Sequence, residues 1–119
     1  MYHKDMEVWK LAMELVFKIY RLTEKFPKDE MFGLTSQIRR CAVSIPSNIA
    51  EGCGRFSNKE TLRFVSIASG SLAELETQIL IAAELNFIDN PKNIIEIIKK
   101  VNALLIGLKN YLENKEELA

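Results

Sequence analysis

The chain has 119 residues, a length typical of one domain that buries about two thirds of its unfolded surface. Its 16 lysines and arginines equal its 16 aspartates and glutamates, and this zero net charge argues against a protein that coats DNA or RNA through a general basic excess. No apolar run approaches the roughly 20 residues of a membrane span, and the N-terminal MYHKDMEVWK lacks a signal-peptide core. We therefore expect a single cytoplasmic domain over residues 1–119, without membrane contact.

The first predicted helix covers about Asp5 to Lys25 and is apolar on two sides. Its main apolar stripe repeats every three or four residues: Val8, Leu11, Ala12, Leu15, Ile19 and Leu22. A second stripe lies about 100° away and consists of Trp9, Met13, Val16 and Tyr20. Phe26-Pro27 is predicted to end the helix, because proline disfavours helical backbone in the residue before it.

The second predicted helix covers residues 33–52 and contains a proline. Its apolar side consists of Leu34, Ile38, Cys41, Ala42, Ile45 and Ile49. Pro46 has no amide hydrogen to donate to the carbonyl of Ala42, so we expect a kink near the middle of this helix. Gly52 and Gly54 then predict a turn.

The other side of this helix is polar, but its residues are short-chained and hydrogen-bonding instead of rich in lysine and glutamate. Six of them recur at helical spacing: Gln37, Arg40, Ser44, Asn48, Glu51 and Arg55. A plain solvent-exposed side would have a different composition. The pattern therefore predicts that this side meets a specific partner.

The third and fourth predicted helices begin at capping signals. Ser57, followed three residues later by Glu60, forms a capping box that predicts a helix from 58 to about 85. Asn90-Pro91 supplies an N-cap and a first-turn proline for the fourth helix. No strand pattern is present. Four helices joined by three short connections predict an all-α, antiparallel up-down-up-down four-helix bundle with a Pro-kinked second helix.

A second polar run lies on the third helix and matches the first. If the second and third helices are antiparallel neighbours, positions that sum to about 110 face each other, which places Arg40 within one turn of Glu74. We therefore predict a buried or half-buried polar seam between the two helices, formed by Gln37, Arg40, Ser44, Asn48, Glu51, Arg63, Ser71, Glu74 and Gln78. Gly70 is expected to let the helices approach closely. Such a network fixes the register of two helices, and ligand binding is the alternative.

Two segments resemble a known family: FPKDEMFGLTSQIRRCAVSIPSNIAEGCGR, residues 26–55, and RFVSIASGSLAELETQ, residues 63–78. They look like the bacterial "four helix bundle protein" family, some of whose members are encoded by intervening sequences within 23S ribosomal RNA genes. SIPSNIAEG-x-GR and GS-x-x-ELETQ are the distinctive parts, and Cys41 and Ser69 are minor departures. The resemblance spans essentially the whole chain.

This resemblance implies a helical bundle that assembles into a homopentameric ring. It also implies distant similarity to the accessory variability protein of diversity-generating retroelements, a basic pentamer that binds a reverse transcriptase and nucleic acid. It implies no activity, because the family has no established one.

The residue combinations needed for common catalytic sites are missing from the sequence, and Glu51, Glu74 and Glu76, which could bind a cation, are expected to pair with arginines instead. His3 is the sole histidine, which excludes Ser-His-Asp and Cys-His arrangements and the paired Glu-x-x-His motifs of di-iron bundles. Gly52-Cys53-Gly54 lacks the lysine and hydroxyl of a phosphate-binding P-loop. Cys41 and Cys53 lie on one predicted helix about 18 Å apart, too far for a disulfide. We expect no enzyme activity, no cofactor and no bound metal.

Two functions are compatible with these features. Apolar residues beyond those that one core requires predict a homo-oligomer that acts as a scaffold or as a binding module for a protein or nucleic acid. The candidate interface consists of Trp9, Met13, Val16, Tyr20, Phe64 and Ile67. The alternative is an RNA- or DNA-binding accessory protein, with contacts from Arg39, Arg40, Arg55, Lys59 and Arg63. Against it stand the zero net charge, the predicted pairing of Arg40 with Glu74 and the lack of an aromatic platform for bases beside the cluster.

Overall fold

The computed structural model describes the backbone of residues 1–118 and the side chains of residues 1–115. It contains four α-helices: α1 (Glu7–Thr23), α2 (Leu34–Cys53), α3 (Asn58–Glu84) and α4 (Lys92–Leu118). Short 3-10 turns at His3–Asp5 and Lys28–Glu30 precede α1 and α2. Residues 1–118 form no strand, so the predicted all-α class is confirmed, and the bounds of the first three helices agree with prediction to within two residues.

The helices pack in chain order around one core, each antiparallel to the next. α1 and α3 both pack against α2 and α4, which leaves α1 and α3 diagonally opposite. The molecule measures 51 × 23 × 20 Å, because α3 and α4 have 27 residues each and a helix of that length spans about 40 Å. The predicted four-helix bundle is therefore confirmed. Within the described residues, no helix is both long enough and apolar enough to cross a membrane.

The core consists of the apolar stripes that the sequence predicts. Its largest fully buried side chains come from all four helices and include Leu15, Ile19, Ile38, Ile45, Ile49, Leu75, Ile79, Leu105 and Leu112. Burying one such side chain contributes about 1.5–3 kcal/mol relative to leaving it in water. Phe26 and Phe87 lie in the connections that follow α1 and α3, and the centres of their rings are 5.6 Å apart.

α2 continues through Pro46, which is buried. Side chains bond to the backbone on the N-terminal side of the proline: Ser44 Oγ donates to the Cys41 carbonyl at 2.7 Å, and Asn48 Nδ2 donates to the Ser44 carbonyl at 2.7 Å. These bonds supplement a helix turn in which Pro46 donates no hydrogen bond to the Ala42 carbonyl. The predicted kink stays a prediction.

The connection after α3 begins at a residue with left-handed backbone. Asn86 has φ 64°, a conformation that asparagine tolerates better than most residues. The amide of Phe87 donates to the Ala82 carbonyl at 2.9 Å, and the amide of Asn86 donates to the Ala83 carbonyl at 3.0 Å. These two bonds form a Schellman motif, which ends α3 and turns Phe87 toward the bundle.

Both predicted helix caps are present. Ser57 Oγ accepts a hydrogen bond from the Glu60 amide at 3.2 Å at the start of α3. Asn90 Oδ1 accepts from the Lys92 amide at 3.0 Å at the start of α4. Each side chain satisfies one of the first-turn amides that have no carbonyl partner within the helix.

We expect Ser57→Ala to lower the free energy of unfolding by about 1 kcal/mol, because the Glu60 amide loses its acceptor. Urea denaturation followed by far-UV circular dichroism measures the effect. Ser66→Ala, at an exposed position within α3, is the matched control and should change stability by less than about 0.5 kcal/mol. Equal losses in the two variants would contradict the cap assignment.

Candidate binding surface

α2 and α3 meet along the surface where the sequence predicts the polar seam. Cys41 Sγ donates to the Ser71 carbonyl at 2.9 Å, and Thr61 Oγ1 donates to the Gly52 carbonyl at 2.8 Å. Facing positions therefore sum to 112 or 113, instead of the predicted 110. The antiparallel pairing is as predicted, and its register is displaced by less than one turn.

Close approach of these two helices occurs at Gly52, where the chain is buried. A Cβ atom added to Gly52 would lie 2.9 Å from Phe64 Cβ and 3.2 Å from the Thr61 carbonyl oxygen. Gly70, to which the sequence analysis assigns this role, is exposed and has nothing within 4 Å of an added Cβ. The assignment to Gly70 is wrong, because Gly70 points to solvent and not toward α2.

The predicted burial of the polar seam is wrong for five of its nine members. Gln37, Arg40, Glu51, Arg63 and Glu74 are exposed, whereas Ser44, Asn48 and Ser71 are half-buried and Gln78 is buried, as predicted. Five members line an open groove between the two helices: Gln37, Arg40 and Ser44 on α2, and Ser71 and Glu74 on α3. Water therefore reaches most of the charged and amide groups that the sequence places in a network.

The side chains of the polar seam make their hydrogen bonds and ion pairs with nearby positions of the chain. Arg55, in the turn after α2, pairs with Glu51 four residues earlier, and within α3 Gln78 Nε2 donates to Glu74 Oε1 at 3.3 Å. Among the side chains of residues 1–115, no ion pair joins two helices. Exposed side chains gain little from reaching across a groove when a partner lies one turn away. The predicted interhelical pair of Arg40 with Glu74 is not formed.

This exposure changes the expected effect of removing Glu74. Burial of Arg40 beside it would predict a loss of about 2–4 kcal/mol for Glu74→Ala. Because both side chains are exposed, we expect a loss of less than about 1 kcal/mol, which includes the bond from Gln78. Thermal melts of the variant and of the parent protein decide between these values. A loss of stability above about 2 kcal/mol would indicate that Arg40 and Glu74 form a buried pair after all.

The open groove has an aromatic residue at its rim. Phe32, in the connection before α2, is 99% exposed and lies beside Arg40 and Glu74, which stand on opposite walls. Phe32 is not among the predicted site residues. Its position in a loop, between Pro27 and Gly33, was the feature of the sequence that could have indicated an exposed ring.

The two cysteines are both free thiols with different surroundings. Burial raises the pKa of Cys41 to about 11, and the negative charge of Glu74 adds to the effect. Burial also raises the pKa of Cys53, whose Sγ lies 3.3 Å from Met6 Sδ. A raised pKa keeps a thiol protonated at neutral pH, so Cys41 acts as the hydrogen-bond donor to Ser71 and not as a nucleophile.

The five cations of the predicted nucleic-acid site do not form one patch. Arg39 is half-buried against α1, where its Nε donates to Thr23 Oγ1 at 2.8 Å and its guanidinium lies 4.7 Å from the centre of the Tyr20 ring. Arg40 lines the open groove toward α3. Since successive helix positions point about 100° apart, these adjacent arginines serve different surfaces.

Arg55, Lys59 and Arg63 lie together at the turn between α2 and α3, and an aromatic pair accompanies them. The guanidiniums of Arg55 and Arg63 lie 4.8 Å and 6.0 Å from the centre of the Phe64 ring. Phe56, next to Arg55, is 105% exposed. The prediction that no aromatic residue stands beside the cluster is therefore wrong. The dipeptides Arg55-Phe56 and Arg63-Phe64 place aromatic residues near these cations in the sequence, although they do not indicate which side chains are in contact.

The six residues of the predicted interface have different surroundings. Val16 is 9% exposed and packs in the core, because α1 buries a wider stripe than a single row of apolar residues, and it also lines the α1–α2 side of the bundle. Tyr20 is exposed beneath Arg39, and Phe64 is half-buried beneath Arg55. Trp9 and Met13 are half-buried, and Ile67 is exposed.

These apolar side chains define two separate surfaces. The α1–α2 groove is shallow and is lined by His3, Trp9, Met13, Val16, Val43, Pro46, Ser47 and Ala50. The outer side of α3 exposes Ile67 and Ile81, which lie within about 40° of each other around the helix axis, whereas the exposed Leu80 points about 100° away from Ile81. Of these, Ile67 is a predicted interface residue. Because α1 and α3 are diagonal in the bundle, the two surfaces face different directions.

In the described residues no group of three or more histidine, cysteine, aspartate or glutamate side chains is placed to hold a metal ion.

No curated protein is significantly similar to the chain. The model of one family, described as "23S rRNA-intervening sequence protein", matches residues 4–107 and so includes α1, α2, α3 and most of α4. The chain therefore belongs to the 23S rRNA-intervening sequence protein family.

Proposed function

We propose that the protein is a non-enzymatic binding module that works as a closed homo-oligomer. The observation that carries this proposal is the presence of two apolar surfaces, the α1–α2 groove and the outer side of α3, on one small bundle. Exposed apolar surface of this extent is uncommon on monomers and marks interfaces. The family resemblance sets the expected number of copies at five.

Two different surfaces favour a ring over a symmetric dimer. A two-fold dimer pairs a surface with itself and leaves the second surface in water. In a ring, the groove of one copy contacts the outer side of α3 in the next copy, so each copy covers both surfaces.

Charge and helix composition support the same pairing. Residues 74–90 contain four acids and no base, whereas residues 10–25, on and after α1, contain four cations and two acids. Gly70 lies exposed on the outer side of α3, where an interior helix glycine costs about 1 kcal/mol relative to alanine. Close approach of a neighbouring copy gives that glycine a role.

Light scattering behind size exclusion tests the proposal at micromolar concentration. We expect a mass near five times the 13.6 kDa of one copy. Ile67→Arg should break the ring, because it places a charge at an apolar contact, whereas Ile106→Arg, at an exposed site on α4, should leave it intact. A 13.6 kDa monomer of the parent protein would overturn the proposal, and a dimer would reject the closed ring.

Nucleic-acid binding is the second candidate, and one observation favours it. Arg55, Lys59 and Arg63 remain together beside two phenylalanines, although Arg39 and Arg40 serve other surfaces. Three cations in one copy are few, but a ring would repeat them around its circumference. The residues at the α2–α3 turn are therefore the ones on which this candidate depends.

A further inference from the structure

We infer that the turn between α2 and α3 contacts single-stranded nucleic acid, with Phe56 stacking on a base and Lys59 and Arg63 contacting phosphates. This inference rests on the second candidate function above and assigns it a ligand class and residue roles. The site consists of the α2–α3 turn, residues 54–57, together with the first two turns of α3.

Phe56 has no role in holding the fold together. Its side chain is 105% exposed in a segment between two helices, so it buries no apolar area against the bundle. A fully exposed phenylalanine ring gains nothing from the hydrophobic effect in the single chain, and an exposed aromatic residue is typical of a contact site. Both faces of the ring are open, which is the geometry that base stacking requires, since every base presents a flat π-surface.

The neighbouring cations are held in place by a second aromatic ring. Phe64 is half-buried, and the guanidiniums of Arg55 and Arg63 lie 4.8 Å and 6.0 Å from its centre. A guanidinium stacked on a ring keeps its N–H groups free at its edge, where they can donate to phosphate oxygens. Phe64 therefore restricts these side chains before any ligand binds, which lowers the entropy lost on binding.

Charge assigns the phosphate contacts to α3. Glu51 pairs with Arg55 and reduces its availability. Lys59 and Arg63 are exposed, lie four residues apart on one side of α3 and have no ion-pair partner among the side chains of residues 1–115. The N-terminal end of α3 adds the positive end of a 27-residue helix dipole.

These features favour a single strand over a duplex. A protruding ring reaches the face of an unstacked base, but bases in a duplex already stack on each other. The few cations at the turn supply limited electrostatic attraction, so stacking must provide much of the affinity. Single-stranded RNA and single-stranded DNA share this chemistry.

Fluorescence anisotropy with a labelled single-stranded RNA of about 12 nucleotides tests the inference. This length lies within the roughly 4–16 nucleotides that one small single-strand-binding domain, the OB fold, occupies. Single-stranded DNA of the same sequence and the corresponding RNA duplex are the other arms. We expect both single strands to bind the parent protein in low salt and the duplex to bind more weakly. Phe56→Ala should weaken single-strand binding about 5- to 150-fold, the range for loss of one stacked base.

Phe32→Ala is the matched control, because Phe32 is as exposed as Phe56 and also precedes a helix, but it lies at the opposite end of α2 from Arg55, Lys59 and Arg63. It should leave the affinity unchanged. Arg63→Ala should reduce the slope of log affinity against log salt by about 0.7, the value for one single-strand phosphate, whereas Phe56→Ala should leave that slope unchanged.

Four results would overturn the inference: no single-strand binding by the parent protein, equal affinity losses in Phe56→Ala and Phe32→Ala, tighter binding of the duplex, or binding of an acidic peptide in place of the RNA. Light scattering of Phe56→Ala runs in parallel. An intact ring that no longer binds RNA supports the inference, and a parent monomer that binds RNA through Phe56 rejects the ring while leaving the inference in place.

Discussion

Replacing Gly52 with alanine is expected to lower the free energy of unfolding by about 1–3 kcal/mol, the cost of overpacking a filled site. The new Cβ would lie 2.9 Å from Phe64 Cβ and 3.2 Å from the Thr61 carbonyl oxygen. Neither atom is the end of a flexible side chain, so α2 and α3 must separate to make room. That separation also weakens the bond from Thr61 Oγ1 to the Gly52 carbonyl.

The direction of the stability change shows which of two opposing effects of the added methyl group is larger. Within a helix, alanine is normally more favourable than glycine by about 0.5–1 kcal/mol, so a clash must exceed that gain before stability falls. Gly107→Ala is the control, because Gly107 is exposed within α4 and has nothing within 4 Å of an added Cβ. Denaturant unfolding should show opposite signs for the two variants. A gain in both would mean that the helices do not approach closely at Gly52.

The second large effect is expected for Arg39→Ala, which should lower the free energy of unfolding by about 1.5–3 kcal/mol, the range for a hydrogen bond to a charged group. Arg39 Nε donates to Thr23 Oγ1 at 2.8 Å, and Thr23 is buried. The same guanidinium covers the Tyr20 ring. Arg39 therefore joins α2 to the C-terminal end of α1, and its removal leaves a buried acceptor without its donor.

Arg40→Ala provides the comparison at the adjacent position. Arg40 is exposed in the open groove, so we expect its removal to change stability by less than about 0.5 kcal/mol. Chemical denaturation of both variants distinguishes the roles of the two arginines. A larger loss of stability for Arg40→Ala than for Arg39→Ala would indicate that Arg40 is part of a buried network.

The helices and their caps were predictable because their signals are local. Apolar spacing near 3.6 residues identified the core-facing sides, and the Ser57 cap identified the start of α3 to the residue. Register was less predictable, since it depends on which residues form the turn. Placing the centre of that turn at Arg55 gives facing sums of 110, whereas the turn spans residues 54–57 and the observed sums are 112 and 113.

The periodicity of the sequence could not indicate how deeply the residues of the polar seam are buried. Helical spacing shows which residues share a side of a helix, but it does not show whether that side lies at the centre of an interface or at its edge. For Arg40 and Glu74 it lies at the edge. The glycine assignment failed for the related reason that Gly52 and Gly70 are equivalent in local sequence, and only tertiary packing distinguishes them.

The aromatic partner of the basic residues was missed for another physical reason. Adjacent residues on a helix do not face each other, so the dipeptide Arg63-Phe64 gives no local indication of contact. The closest guanidinium over Phe64 belongs to Arg55, which reaches it across the turn. Such a contact depends on the path of the chain between two helices, which sequence spacing does not define.

The Cys41 thiol makes the α2–α3 pairing measurable without any added label. A thiol reagent reacts with the thiolate, and Cys41 is both buried and hydrogen-bonded as a protonated donor to the opposite helix. Modification therefore waits for the two helices to part, and its rate reports how often that opening occurs. Cys53 is half-buried and supplies an internal reference in the same molecule. Ligands that bridge α2 and α3 should slow the modification of Cys41, which provides a screen for partners whose identity is unknown.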